Sequence, residues 1–109
     1  MAYDQHLAAR IREILGDRDG LTAKEMFGGI CFMLHGNMCC GVVNDDLMVR
    51  LGPELGEEAL HEPYARPMDF TGRPMKGFVY VSPDGTATEP ALRAWVARVV
   101  AFASTLPPR

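Results

Sequence analysis

Three short apolar runs, residues 30–34, 38–43 and 47–51, follow one another near the middle of the chain, each set off from the next by turn-forming residues. Gly28-Gly29 precedes the first, His35-Gly36-Asn37 separates the first from the second, and Asn44-Asp45 separates the second from the third. Connections this short join only antiparallel neighbours, because a parallel return needs a crossover of about a dozen residues. An antiparallel meander is expected, not a βαβ unit. Alternation within the runs is incomplete: Ile30, Phe32 and Leu34 share one face, yet Cys31 and Met33 make the opposite face apolar too. The third run repeats this, with Leu47, Val49 and Leu51 set against Met48 and Arg50. A sheet that is apolar on both faces needs cover on both. Helices are expected over one face, and a second subunit or a partner over the other.

The flanking segments supply the helices. Asp4 is a candidate N-cap, and Leu7, Ala8, Ile11, Ile14 and Leu15 recur at helical spacing until Gly16 ends the pattern. Residues 21–27 read as an edge strand leading into the meander, since Thr22, Lys24 and Glu25 suit an edge. After Gly52, Pro53 fits the first position of a short helix over 53–62, weakened by Gly56 and ended by Glu62-Pro63. A near-repeat follows, Arg66-Pro67-Met68-Asp69-Phe70 and then Arg73-Pro74-Met75-Lys76-Gly77-Phe78. Its first copy reads as a short strand and residues 77–81 as a further strand. The last helix opens at Thr88 or Glu89, carries Leu92, Trp95, Val96, Val99, Val100, Ala103 and Leu106 on one stripe, and stops at Pro107-Pro108. The expected fold is therefore α+β: one antiparallel sheet in the order helix, strands, helix, strands, helix, with the long N- and C-terminal helices packed on it.

A chain of 109 residues is one ordinary domain. The formal charge of −3, with signs interspersed, gives no basic footprint for nucleic acid. No stretch approaches the roughly 18 apolar residues of a membrane span, and the first residues are amphipathic rather than a leader, so a cytoplasmic location is expected. Three cysteines, Cys31, Cys39 and Cys40, are an odd count and fit a reducing compartment. On a regular strand Cys39 and Cys40 point to opposite faces. A two-residue turn at Gly36-Asn37 pairs Met33 with Cys40 and Cys31 with Val42, which makes Cys31 and Cys40 diagonal neighbours roughly 7–8 Å apart, at or beyond bridging range. All three are expected to be reduced.

Chemistry is thinly represented. A thiol nucleophile would need a histidine beside it, and His35 is near Cys31 and Cys39 in sequence; strand cysteines in an apolar sheet are nonetheless more often small core residues. The spacing of Cys31, His35, Cys39 and Cys40 matches no zinc pattern, and Gly28-Gly29 matches no phosphate loop. No catalytic, metal or cofactor residue is expected. A small ligand-binding domain or a thiol enzyme using a sheet cysteine near His35 is the alternative to an interaction module. Six internal methionines, Met26, Met33, Met38, Met48, Met68 and Met75, serve either as core fillers or as an adaptable binding face. Arg66, Arg73 and Lys76 form the one local basic cluster, and Arg50 is a charge inside an apolar strand. The candidate interaction surface is therefore Arg50, Arg66, Met68, Arg73, Met75 and Lys76.

The run Met26-Phe27-Gly28-Gly29, the hairpin segment 36–43, the stretch Met48-Val49-Arg50-Leu51-Gly52 and above all the segment 66–77 resemble the N-terminal domain of the TfoX, or Sxy, competence-regulator family. The resemblance spans nearly the whole chain. It implies an α+β domain with the element order given above, and a regulator of DNA-uptake genes acting with a cyclic-AMP receptor protein at promoters. It carries no catalytic residue. Full regulators continue into a helical C-terminal domain, so the expectation here is a stand-alone N-terminal domain. The expected function is a non-enzymatic interaction module, an accessory factor in transcription regulation. The partners expected are a protein or a second copy of the chain, with DNA reached indirectly through a transcription factor and no membrane.

Overall fold

The computed structural model describes residues 3–26, 28–68 and 76–108. Along the chain these form α1 (Gln5–Leu15), β1 (Leu21–Met26), β2 (Gly29–Leu34), β3 (Asn37–Val43), β4 (Asp46–Arg50), α2 (Pro53–Ala59), β5 (Ala65–Pro67), β6 (Phe78–Val81) and α3 (Glu89–Ala103), with a single 3-10 turn at Pro83–Gly85. The six strands make one antiparallel sheet in the order β1-β2-β3-β4-β6-β5. The α+β architecture is as expected. The middle helix is shorter than the sequence suggests, ending at Ala59 rather than Glu62.

Local chemistry sets the helix limits. The Asp4 carboxylate accepts hydrogen bonds from the backbone N–H groups of His6 (2.9 Å) and Leu7 (3.1 Å), satisfying donors that the first turn leaves open. Thr88 does the same for Ala91 at the start of α3, where Pro90 lies in the first turn and loses no helical hydrogen bond. The apolar stripes then bury. Leu7, Ala8, Ile11 and Leu15 of α1 meet Leu92, Trp95, Val96, Val99 and Ala103 of α3 in one core with Ile30, Phe32, Leu34, Val42, Leu47, Val49, Val79 and Val81 of the sheet. Hydrophobic burial of this kind is the main driving force for the fold.

The β2–β3 hairpin departs from the register that Gly36-Asn37 would give. The turn is His35-Gly36, both at positive φ (52° and 84°), so Leu34 pairs with Asn37 and Met33 with Met38. Positive φ at both central residues matches the right-handed twist of the strands, and Gly36 adopts it without strain. The register then shifts between Phe32 and Met33: Phe32 pairs with Cys40 and Cys31 with Gly41. The extra residue is Cys39. The bulge turns Cys39 and Cys40 to the same side, into the helix-covered core, and leaves Cys31 on the other face with the methionines. The expectation that Cys39 and Cys40 diverge, with Cys31 beside Cys40, is corrected by this one inserted position.

The second face is also corrected. Its centre is not left for a partner to cover: Cys31, Met48 and Met68 are 0%, 1% and 0% exposed and pack together. Met68, just past the end of β5, folds its side chain over this side of the sheet. Among the described residues, the chain thus closes the middle of both faces itself, and the partly exposed side chains of this second face lie around that centre.

A candidate interaction surface on the second sheet face

The strand register decides which side chains surround that centre. Gly41 is opposite Cys31 on one side and Met48 on the other; Met48 is opposite Tyr80, and Tyr80 opposite Arg66. One row therefore runs Cys31, Gly41, Met48, Tyr80, Arg66 across four strand boundaries on the face away from α1 and α3. The neighbouring rows add Met33 opposite Met38, and Arg50 opposite Phe78. Around the sealed centre of Cys31, Met48 and Met68, the partly exposed Met26, Met33, Met38, Phe78 and Tyr80 form a ring.

Two arginines lie on the aromatic members of this ring. The guanidinium of Arg66 is 5.5 Å from the Tyr80 ring centre, and that of Arg50 is 5.7 Å from Phe78 and 5.6 Å from Phe102 of α3. Arg66 also pairs with Asp46 at 2.6 Å and donates to Ser82 Oγ at 3.3 Å, so it is held in place rather than free. Lys76 is exposed beside a shallow cleft of about 240 Å³ between α2 and the start of β6, with Glu57, Leu60, Pro67 and Phe78 as neighbours. Of the expected surface residues, Arg50, Arg66 and Lys76 are thus on or beside this face. Met68 is fully buried and belongs to the plug beneath the surface, which corrects its place in the expected set. Arg73 and Met75 lie outside the described residues.

Residues 13–103 match the family model described as the TfoX N-terminal domain. The chain belongs to the TfoX N-terminal domain family. No curated protein and no solved structure matches it. The match covers the segment from within α1 to the end of α3, hence every strand of the sheet and all of the ring just described. Phe78 and Tyr80 are members of the surface that the motif comparison did not single out. Their signal was present in the alternation of Phe78-Val79-Tyr80-Val81, where the valines face the helices and the two aromatics face away.

The thiols of this TfoX N-terminal domain lie inside it. Cys31, Cys39 and Cys40 are all free and buried. Burial pushes the Cys31 thiol up to about 12, with the neighbouring Cys39 adding to it and the backbone N–H of Cys39 partly offsetting it. Cys40 is pushed up as well: its S–H is engaged with Cys39, and it lies in the core with no exposed surface. Cys39 goes the other way: the Cys40 S–H donates to it and holds its thiol below the ordinary value, against the opposing effect of burial. The protonated, buried thiols of Cys31 and Cys40 are poor nucleophiles. His35 is at the hairpin tip, exposed, its backbone N–H bonded to Gly20 O at 2.8 Å and its imidazole lying against Gly20. Among the described residues, no group of three His, Cys, Asp or Glu is placed to hold a metal ion, and no helix is long and apolar enough to cross a membrane.

Proposed function

We propose that this TfoX N-terminal domain is a non-enzymatic interaction module that binds a protein partner on the margin of its second sheet face and works as an accessory factor in transcription regulation. The observation that carries the reading is the ring of Met33, Met38, Phe78 and Tyr80, partly exposed and flanked by Arg50 and Arg66 laid on aromatic rings. Methionine, aromatic residues and arginine are the types enriched where protein interfaces bury surface. Methionine's flexible thioether re-packs against surfaces of different shape, while the plug of Cys31, Met48 and Met68 holds the ring from beneath. The reading takes as its partner a promoter-bound transcription factor of the cyclic-AMP receptor kind, from the resemblance to the TfoX regulators. The formal charge of −3 favours reaching DNA through that partner rather than by direct contact with phosphates.

The test is a gel-shift titration with promoter duplex, a cyclic-AMP receptor protein and the purified chain. The chain is expected to retard the receptor–DNA complex further and to leave free duplex unmoved. The double variant Met33→Glu, Met38→Glu is expected to abolish the second shift while its circular dichroism stays that of the parent. If the chain never retards the receptor–DNA complex, or the charged variant does so equally well, the proposal is wrong.

A further inference from the structure

We infer that a shallow groove between the start of α2 and the end of α3 is a docking site for a basic amphipathic helix of a protein partner. Leu51, Gly52, Pro53, Glu54, Leu55 and Phe102 line it, around a space of about 250 Å³. Its shape begins at Gly52, which is at positive φ (87°) and has no side chain, so the Phe102 ring lies directly on its backbone. A Cβ built there would meet Phe102 Cε1 at 2.5 Å. Glycine and ring make the apolar floor, and Pro53 and Leu55 come to it from the first turn of α2. Leu55 is 52% exposed and, with Tyr64, is one of two exposed large apolar residues among the described residues. The space is smaller than the roughly 300–1,000 Å³ of a small-molecule site, so it takes a single large side chain and not a whole ligand.

Charge selects the occupant. Glu54 lines the groove, and Glu58, one helical turn later, is a surface neighbour of both Glu54 and Leu55; the two carboxylates are exposed. Among the described residues neither has an ion pair: Arg98 is bound to Glu62, and Arg50 is stacked on the Phe78 and Phe102 rings. A partner with lysine or arginine at the same spacing, one turn apart and next to an apolar anchor, meets both carboxylates at once. An amphipathic helix supplies that spacing. A second copy of this chain does not fit, because a twofold contact through the patch sets Glu54 and Glu58 against their own images, and like charges brought together cost binding energy. Exposed ion pairs are weak singly. The anchor side chain therefore supplies most of the affinity, and the carboxylates the choice of partner.

The groove shares no residue with the ring of Met33, Met38, Phe78 and Tyr80, and the inference does not depend on the interaction proposed there. Its test is a fluorescence-anisotropy titration of the whole chain with a labelled amphipathic helix of leucine and lysine, about fourteen residues long, and with the same helix carrying glutamate for lysine. The parent is expected to bind the lysine helix, more weakly as salt is raised, and not the glutamate helix. Leu55→Ala and the double variant Glu54→Gln, Glu58→Gln, all at exposed positions, are each expected to keep the parent's circular dichroism and to weaken binding by about tenfold or more. The neutral double variant Met33→Ser, Met38→Ser is expected to bind as the parent does. A parent that ignores the lysine helix, or takes the glutamate helix equally well, overturns the assignment. So does binding that survives in the groove variants or is lost with Met33 and Met38, or a dimer of the free chain that Leu55→Ala dissociates.

Discussion

Gly56 of α2 and Gly77 at the start of β6 meet backbone to backbone: a Cβ built on Gly56 would stand 2.9 Å from Gly77 Cα. Gly77 is itself at positive φ (89°), and its carbonyl accepts from the Leu51 N–H at 2.8 Å, so it cannot easily move away. Gly56→Ala sets two effects against each other. Alanine in a helix interior gains about 1 kcal/mol over glycine, whereas forcing a methyl against fixed backbone costs about 1–3 kcal/mol. The clash is expected to win, lowering the urea midpoint with no change in the slope of the transition. Leu55→Ala, one position away and 52% exposed, is expected to move stability by less than about 0.5 kcal/mol. A Gly56→Ala protein more stable than the parent would show that α2 does not bear on Gly77 in solution.

The buried thiols make stability depend on alkaline pH. Cys31 is raised from an ordinary value of 9.0 to about 12, chiefly by burial, and Cys40 is raised by its bond to Cys39 and by burial. Between pH 9 and 12 the folded chain keeps the Cys31 proton while the unfolded chain loses it, so stability falls as pH rises. Below about pH 9 this contribution is fully present. The expected slope is about 1.4 kcal/mol per pH unit for each such thiol. Urea midpoints at pH 8, 9, 10 and 11 check this. Cys31→Ala is expected to be less stable at pH 8 and to fall less steeply above pH 9, and equal slopes for the two proteins would refute the assignment.

Arg50 tests whether the ring depends on stacked cations. Its guanidinium lies between Phe78 on the sheet and Phe102 on α3, at 5.7 and 5.6 Å. It therefore joins the margin of the second face to the helix packed on the first. Arg50→Met keeps most of the apolar stem but loses both stacking contacts, at a cost of about 0.5–2 kcal/mol. Arg50→Lys keeps a charge without a planar group to stack, and is expected to fall between the two. Thermal melts of the three proteins give the order; a lysine variant equal to the methionine variant would mean that the charge contributes nothing at this site.

What could be read ahead of the structure followed the periodicities that run longest. The α3 stripe from Leu92 to Ala103, the α1 stripe from Leu7 to Leu15 and the meander were all visible, because each repeats one geometric rule over many residues. The cysteine geometry was not visible. It turns on a bulge at Cys39 and on a turn placed at His35-Gly36 instead of Gly36-Asn37, and two turn-forming dipeptides that overlap by one residue cannot be separated by composition. The cover of the second face was missed for a related reason. Met68 stands in a short strand run next to Pro67, and nothing in the pattern of single residues says that this side chain, four strands from Cys31 in the sheet order, will join the same buried cluster. The candidate surface was legible only in its charges, Arg50, Arg66 and Lys76. The apolar ring they flank depends on which way β6 faces, and that is fixed by its pairing with β4.

The buried amide of Asn37 ties the β2–β3 hairpin to the segment that follows α3. It is 4% exposed, and its Nδ2 donates to the Pro107 carbonyl at 2.9 Å. Removing the donor with Asn37→Ala leaves that carbonyl without this partner and is expected to cost about 1–3 kcal/mol at any pH. Asn37→Asp behaves differently. At neutral pH it turns a carboxylate toward a carbonyl oxygen in a place with little water, which costs more than the alanine change. The folded state then favours the protonated acid, so the Asp variant's carboxyl is raised above its ordinary value. A raised group contributes its stability below the ordinary value and loses it as pH rises. At low pH the protonated acid can donate to Pro107 as the amide did. The Asp variant is therefore expected to be at least as stable as the Ala variant near pH 3.5, and less stable at pH 7, with the order reversing between. Urea titrations of both variants at the two pH values decide it. A constant difference between them would mean that Asn37 reaches water rather than Pro107.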